Sequence, residues 1–258
     1  MRPRVSSALS GARWLLEGWR LFRVSPPVWL MLVFLYWLLM TVLSVLPAIG
    51  VAAATVLVPA FSVGFMAASR SCERKQVPEI AALFAGFRDG LARQLVLGAV
   101  YCAALALLLA ATSLADDGVL ARWMLGGARP EAEALQSDAF YAALLVAAAG
   151  YAPLMMLFWF APVLAAWHGL GAAQALFYSF VATLVNWRAL LGYGAAAALV
   201  TLALPALVLG ALLVASGGQL RVGLMSLVPP LLILLLPTLF ASFYASYRDV
   251  FGAAGEAG

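Results

Sequence analysis

Residue types that commonly carry catalysis are sparse in this sequence, and its acids, its basic residues and its histidine all lie outside the long apolar runs. The chain has no Walker A, G-x-S-x-G or H-E-x-x-H pattern and no paired Cys/His cluster. Its two cysteines, Cys72 and Cys102, provide no metal-ligand spacing, and their different positions relative to the runs argue against a disulfide. We therefore predict no catalytic, metal-binding or cofactor-binding residue, and no enzymatic activity.

Five residues suit contact with phosphate or an interface instead. They are Arg20, Arg88, His168, Asn186 and Arg188. His168, the one histidine of the chain, is either a phosphate-facing or pH-sensitive group or a histidine with one solvated edge. Asn186 and Arg188 flank Trp187 and either bind phosphate or anchor a helix end. The sequence leaves these alternatives open.

Six apolar runs, each without a charged residue, place these side chains. The runs cover 28–46, 48–69, 95–115, 139–167, 189–216 and 222–247. Each is close to or above the ~20 residues that a helix needs to cross a bilayer. The composition, 66% apolar and 10% charged, excludes a soluble domain. We predict one all-α integral-membrane domain over 1–258, with six transmembrane helices.

The basic residues between the runs predict how the chain is threaded. Twelve of them fall in the segments on the side of the N-terminus and three on the other side. Since Lys and Arg favour the cytoplasmic side, we predict that both termini are cytoplasmic and that the spans form three hairpins. This count orients the chain in its membrane. The net charge of +4 then serves orientation, and we predict no nucleic-acid partner. The acidic outer loop, 116–138, is predicted to be a solvated linker.

Three segments on the predicted inner side share an amphipathic pattern. Their apolar residues recur at helical spacing. These residues are Ala12, Leu15, Leu16 and Trp19; Ile80, Leu83, Phe84, Phe87 and Leu91; and Ala173, Leu176, Phe177, Phe180 and Leu184. A small residue precedes an aromatic one in each, at Gly18-Trp19, Gly86-Phe87 and Ser179-Phe180. We interpret the chain as three copies of one unit, in which a cytoplasmic-side amphipathic helix precedes two spans. The alternative is that interfacial helices simply share this composition.

The spans themselves offer prolines and hydroxyl groups. Each inward span has a proline towards its inner half, at Pro59, Pro162 and Pro237. Such prolines either serve packing or open a midplane solute site. The absence of charge from the spans argues against a proton-coupled pump or a voltage sensor.

Several motifs resemble a known group of proteins. They include Glu17-Gly18-Trp19-Arg20-Leu21-Phe22, Leu83-Phe84-Ala85-Gly86-Phe87-Arg88, Asn186-Trp187-Arg188 and Leu236-Pro237-Thr238-Leu239-Phe240. Together they resemble a family of six-pass bacterial inner-membrane proteins without an established activity. More distantly, the pattern is similar to YciC-like proteins and to the membrane portion of some glycerophosphodiester phosphodiesterases. The resemblance implies the fold and the location, and it implies no functional residue.

Two functions follow as hypotheses. The first is a non-enzymatic protein that interacts with membrane lipids or acts as a scaffold in the cell envelope, with a membrane protein or a second copy of the chain as partner. The second is a small transporter or channel for an uncharged or amphipathic solute.

Overall fold

The computed structural model describes residues 3–47, 49–127, 129–217 and 228–252, and these residues form helices and turns with no strand. The helices are α1 (Ala8–Phe22), α2 (Pro26–Ser44), α3 (Gly50–Glu73), α4 (Ala85–Arg88), α5 (Leu91–Asp116), α6 (Val119–Met124), α7 (Ala132–Leu135), α8 (Asp138–Phe158), α9 (Ala161–Trp167), α10 (Ala172–Val185), α11 (Trp187–Ala198), α12 (Leu204–Ala215) and α13 (Val228–Phe251). A 3-10 turn, Ile80–Phe84, leads into α4, and a π-helical turn, Leu199–Ala203, joins α11 to α12.

Five stretches of the described chain are long and apolar enough to cross a membrane. They are α2, α3, α5, α8 with α9, and α11 with α12. Their positions match the first five predicted spans. The sixth predicted span, 222–247, begins outside the described residues, and its part from 228 onward lies within α13. Both cysteines are free.

Two predicted spans are interrupted. Helix α8 ends at Phe158, and α9 starts at Ala161. The cause is Pro162, because its ring clashes with the carbonyl four residues earlier, at Phe158. The π-helical turn Leu199–Ala203 similarly interrupts the fifth predicted span, just before Pro205.

Helix α3 lies at the centre of the bundle. Half of its most apolar window is buried, compared with 17% or less in the other four stretches. Large apolar side chains on those other helices point outward: Leu107 and Leu145, for example, are each 72% exposed. Such faces are typical of helices in contact with lipid, because a water-soluble protein rarely exposes so much apolar surface.

The three amphipathic segments pack differently from the prediction. Their buried faces combine small residues with some large ones, among them Leu15 and Leu83 of the predicted stripes, whereas several other large residues of the stripes are exposed. The buried set includes Gly11, Gly18, Ala85, Gly86, Ala175, Ser179 and Ala182. The exposed set includes Leu16, Trp19, Ile80, Phe177 and Leu184. Small residues face the bundle because they let two backbones approach closely.

The second segment also differs in shape from the predicted helix. Its stripe was expected to continue from Ile80 to Leu91, but α4 ends at Arg88, and Gly90 turns the chain with a φ of +92° before α5 begins. Only glycine adopts this left-handed conformation without strain.

Small residues make equivalent contacts in the first two segments. A Cβ on Gly18 would lie 2.4 Å from the carbonyl oxygen of Thr238, the residue after Pro237. A Cβ on Gly86 would lie 2.2 Å from the carbonyl oxygen of Ala60, the residue after Pro59. The first segment therefore packs on α13 and the second on α3, each beside a proline.

The third segment follows this scheme with a shift. The Ser179 hydroxyl donates to the carbonyl oxygen of Met156 at 2.9 Å and accepts from the backbone N–H of Phe160. Its contact therefore falls before Pro162, not after it. The predicted equivalence of Pro162 with Pro59 and Pro237 does not hold, because Pro162 starts a new helix while the other two lie inside theirs.

The predicted outer loop has structure of its own. It contains α6 and α7, and Leu120 packs with Phe140 and Ala143 in a small apolar cluster. The carboxylate of Asp116 accepts hydrogen bonds from the backbone N–H groups of Gly118 and Leu120 at 3.0 and 2.7 Å. Most of the loop is exposed, as in the predicted solvated linker, but its helical turns and its apolar cluster were not predicted.

Candidate functional site

An ionic cluster joins α1, α3 and α13. It lies where α3, α9 and α13 end, and we call this region the Arg-rich end of the bundle. Glu73, the last residue of α3, accepts hydrogen bonds from the Tyr244 hydroxyl and the Arg248 guanidinium group of α13. Arg248 also lies 3.9 Å from Glu17 of α1, and Glu17 pairs with Arg20 at 2.5 Å. The cluster therefore ties α1, α3 and α13 together at this end.

Sequence reasoning missed Glu17 and Glu73 as members of such a cluster. The available signal was an acid among otherwise basic residues: Glu73 lies between Arg70 and Arg74. An acid at that place offsets the local positive charge and offers a partner for an arginine from another helix.

Asn186 holds the N-terminal segment. Its Oδ1 accepts from the backbone N–H of Ser6 at 2.7 Å, and its Nδ2 donates to the carbonyls of Arg4 and Ala182 at 2.9 Å each. The side chain is almost fully buried. These bonds attach the N-terminal segment to the end of α10. A role of Asn186 in phosphate contact stays a prediction.

Asp249 adds a second attachment to the same segment. Its carboxylate accepts from the Ser6 hydroxyl at 2.9 Å and from the Trp14 indole N–H at 2.8 Å. The N-terminal residues and α1 are therefore fixed to the end of α13 by charge-assisted hydrogen bonds, which are stronger than those between neutral groups.

His168 is bonded to a neighbouring helix. Its Nε2 lies 2.7 Å from the hydroxyl oxygen of Tyr247. The Tyr247 ring packs on Trp167, over which the Arg70 guanidinium group stacks at 5.4 Å. Burial lowers the pKa of His168 below its ordinary 6.5. The imidazole is therefore mainly neutral at neutral pH, where it acts as a hydrogen-bonding group and not as a cation.

The three predicted arginines lie on separate elements and have separate partners. Arg20 pairs with Glu17, Arg88 donates to the carbonyl of Ala81 at 3.1 Å, and Arg188 stacks over Trp187 at 5.3 Å. All three are exposed. None of these contacts joins an arginine to His168 or Asn186, and the three arginines lie on three different helices, α1, α4 and α11.

A cavity of about 230 Å³ lies between α3, the α8–α9 pair and α13. Its lining is mostly apolar: Val58, Pro59, Ser62, Phe65, Met66, Tyr101, Met155, Phe158, Trp159, Pro162, Val163, Phe240 and Phe243. Phe65 and Phe240 stack with their ring centres 4.1 Å apart. The sequence did not predict this cavity, although it did single out Pro59 and Pro162 in its wall.

One buried amide lies close to the cavity wall. Gln94 of α5 is fully buried, and its Nε2 donates to the carbonyl of Pro162 at 2.9 Å, while its Oε1 has no partner in the described part of the chain. The bond joins α5 to α9. Sequence reasoning missed Gln94 because the third predicted span started one residue later, at 95. Its signal was an uncharged amide in the first turn of an apolar helix.

Metal-ligating side chains are not grouped in the described residues. Within 3–47, 49–127, 129–217 and 228–252, no three His, Cys, Asp or Glu side chains lie close enough together to hold a metal ion.

Comparison with known proteins places the chain in a family. A protein of Burkholderia thailandensis named probable inner membrane protein is 40% identical over 257 residues, which cover 95% of this chain and 92% of the relative. The chain belongs to this family of inner membrane proteins. No protein-family model matches it. No solved structure matches it either. The more distant likeness to YciC-like proteins therefore stays a prediction.

Membership of an inner-membrane family agrees with the helix surfaces. In a multi-pass inner membrane protein, the outward apolar side chains of α2, α5, α8 and α11 contact lipid hydrocarbon. The hydrogen bond from Gln94 to Pro162 then joins two of the long apolar stretches. Hydrogen bonds between helices in a membrane each contribute about 0.6–2 kcal/mol to stability.

Proposed function

We propose that the protein is a non-enzymatic, six-span inner membrane protein that binds anionic phospholipid through exposed arginines on or beside its amphipathic segments. Six spans follow if α13, an apolar helix of 24 residues, crosses the membrane together with the five long stretches. The distribution of basic residues supports three hairpins with both termini in the cytoplasm. The charge-free spans support a role without proton or ion chemistry.

The observation that carries this proposal is the surroundings of the three exposed arginines. Each arginine lies near an exposed apolar residue, and each belongs to an amphipathic segment or directly follows such a segment. Arg20 follows Trp19, Arg88 reaches back to the turn that begins at Ile80, and Arg188 stacks on Trp187. A cation beside an exposed apolar side chain suits the headgroup boundary of an anionic leaflet, because the apolar group enters the lipid and the cation meets phosphate.

Replacing Arg20, Arg88 and Arg188 together with glutamine is expected to weaken retention of anionic lipid. A basic residue near an anionic surface contributes about 1 kcal/mol, so three contribute about 3 kcal/mol, which corresponds to roughly a hundredfold in affinity. Native mass spectrometry of purified protein should show fewer bound phosphatidylglycerol molecules. Bound phosphatidylethanolamine should not change.

Arg122→Gln is the matched control for this triple substitution. Arg122 is also exposed, donates to a backbone carbonyl at 2.9 Å, and lies in the predicted outer loop. It should leave phosphatidylglycerol retention unchanged. Equal retention by the triple variant and the wild-type protein would remove the proposed lipid-binding function.

A transporter of an uncharged or amphipathic solute is the second candidate, and the cavity beside Pro59 and Pro162 favours it. The apolar lining suits an amphiphile better than a polar solute. Proteoliposomes with fluorescently labelled phosphatidylglycerol and an external quencher measure this activity directly. Quenching of the inner-leaflet label would support transport, and protection of that label would exclude it for this lipid.

A further inference from the structure

The cavity lies beside the inner part of α3, one of the stretches long and apolar enough to cross a membrane. It extends along α3 from Met66 to Val58, seven to fifteen residues from the end of the helix at Glu73. At a rise of about 1.5 Å per residue, this is about 10–22 Å from the Arg-rich end. The cavity therefore lies well inside the bundle as measured from that end, within the length of the candidate span Gly50–Glu73.

The lining has little polar surface to offer a ligand. The Ser62 hydroxyl donates to the carbonyl of Pro59 at 2.7 Å, and the Trp159 indole N–H donates to Ser246 at 3.2 Å. Tyr101, the third polar side chain of the lining, is hydrogen-bonded to Tyr151. All three polar groups therefore already have partners in the protein. A water molecule needs two to four polar partners, and an apolar cavity stays dry and accepts apolar molecules.

Size and shape favour part of a chain over a whole lipid. An apolar cavity of about 150 Å³ accepts benzene, and this one is about 230 Å³. Its extent along α3 corresponds to eight residues, about 12 Å, which suits an extended hydrocarbon segment. Met66 and Met155 in the wall are flexible, and such side chains adapt to occupants of irregular shape.

We propose that this cavity binds the end of one hydrocarbon chain of a membrane amphiphile. The inference deepens the proposed function, since it assigns a place to the chain of a bound lipid, but it depends on different residues from those that meet the headgroup. The source of the chain is either a phospholipid or a free fatty acid.

Chain-end photolabelling tests the proposal. The full-length protein is reconstituted with phosphatidylglycerol that carries a diazirine at the end of one acyl chain, and in a second arm with a diazirine fatty acid. After irradiation, adducts are located by peptide mass spectrometry. We expect adducts on Met66, Met155 or Phe158 in the arm whose reagent, phospholipid or fatty acid, is of the class that occupies the cavity. Adducts on the outward-facing Leu107 and Leu145 report the surrounding lipid.

Ser62→Phe fills the cavity, and Ala52→Phe, at an exposed position of the same helix, is the control. Ser62→Phe should abolish the lining adducts and keep the outward ones, and Ala52→Phe should keep both. If Ser62→Phe does not fold, Ser62→Leu replaces it. Wild-type adducts confined to outward residues in both arms, or lining adducts that survive the filling substitution, would overturn the proposal.

The two proposals fail separately in these measurements. Loss of phosphatidylglycerol in the triple arginine variant concerns the headgroup, whereas loss of lining adducts in Ser62→Phe concerns the chain. Lining adducts that persist in the triple arginine variant would support the cavity site by itself, even if the headgroup proposal fails.

Discussion

Replacing Gly192 of α11 with alanine is expected to destabilise the protein by about 1–3 kcal/mol, the usual cost of inserting a carbon into a packed contact. A Cβ at this position would lie 2.2 Å from the carbonyl oxygen of Ala8 in α1. The contact is reciprocal, because a Cβ on Gly11 would lie 2.1 Å from the carbonyl oxygen of Ala189. Backbone atoms cannot rotate away as side chains do, so α1 has to move. A lower midpoint of thermal unfolding in detergent, followed by tryptophan fluorescence, measures the effect.

Gly194→Ala is the matched control on the same helix. No atom lies within 4 Å of a Cβ at that position. The substitution should be neutral or stabilise the helix by up to about 1 kcal/mol, the difference in helix propensity between alanine and glycine. Equal unfolding midpoints for the two variants would show that α1 and α11 do not pack closely at Gly11 and Gly192.

Apolar patterning was sufficient to predict most long helices. The first predicted span, 28–46, and the observed helix Pro26–Ser44 differ by about one helical turn or less at each end, since a charge-free run of this length has few alternatives to a helix in a membrane. The breaks at Phe158 and before Pro205 were not predicted. A proline in an apolar run has several possible outcomes, and surrounding packing decides whether it bends a helix or starts a new one.

The contacts of the amphipathic segments were harder to predict, for a specific reason. Hydrophobic periodicity identifies the large apolar residues, but only some of them face the bundle: Leu15 and Leu83 are buried, whereas Trp19 and Phe177 are exposed. In a membrane protein the outside is also apolar, so large residues gain little from facing the bundle. Glycine and alanine gain more there, because they allow close backbone contact. The small residues Gly18, Gly86 and Ser179 carried the useful signal.

The candidate sites could be predicted only in part. The exposed arginines followed from charge patterning. The ionic cluster needed Glu17, Glu73 and Arg248, which are far apart in sequence. The cavity needed side chains from α3, α8, α9 and α13 at one depth, and no local pattern in the sequence fixes such an arrangement.

Asn186→Ala is the second substitution with a large expected effect. It removes the acceptor for the backbone N–H of Ser6 and the donor to the carbonyls of Arg4 and Ala182. A buried polar group left without a partner costs about 1–3 kcal/mol, so the unfolding midpoint should fall clearly. The N-terminal segment should also become accessible, and limited trypsin digestion should cleave after Arg4 faster than in the wild-type protein.

Gln174→Ala separates this structural role from a general effect of losing an amide. Gln174 lies in α10, the helix that ends directly before Asn186, and its side chain is exposed, so the change should stay within about 0.5 kcal/mol. The two interpretations of Asn186 also predict different lipid results. An anchor gives faster trypsin cleavage with unchanged phosphatidylglycerol retention. A headgroup ligand gives reduced retention with unchanged cleavage, and this outcome would contradict the anchoring role, because the bonds to Arg4 and Ser6 would then be dispensable.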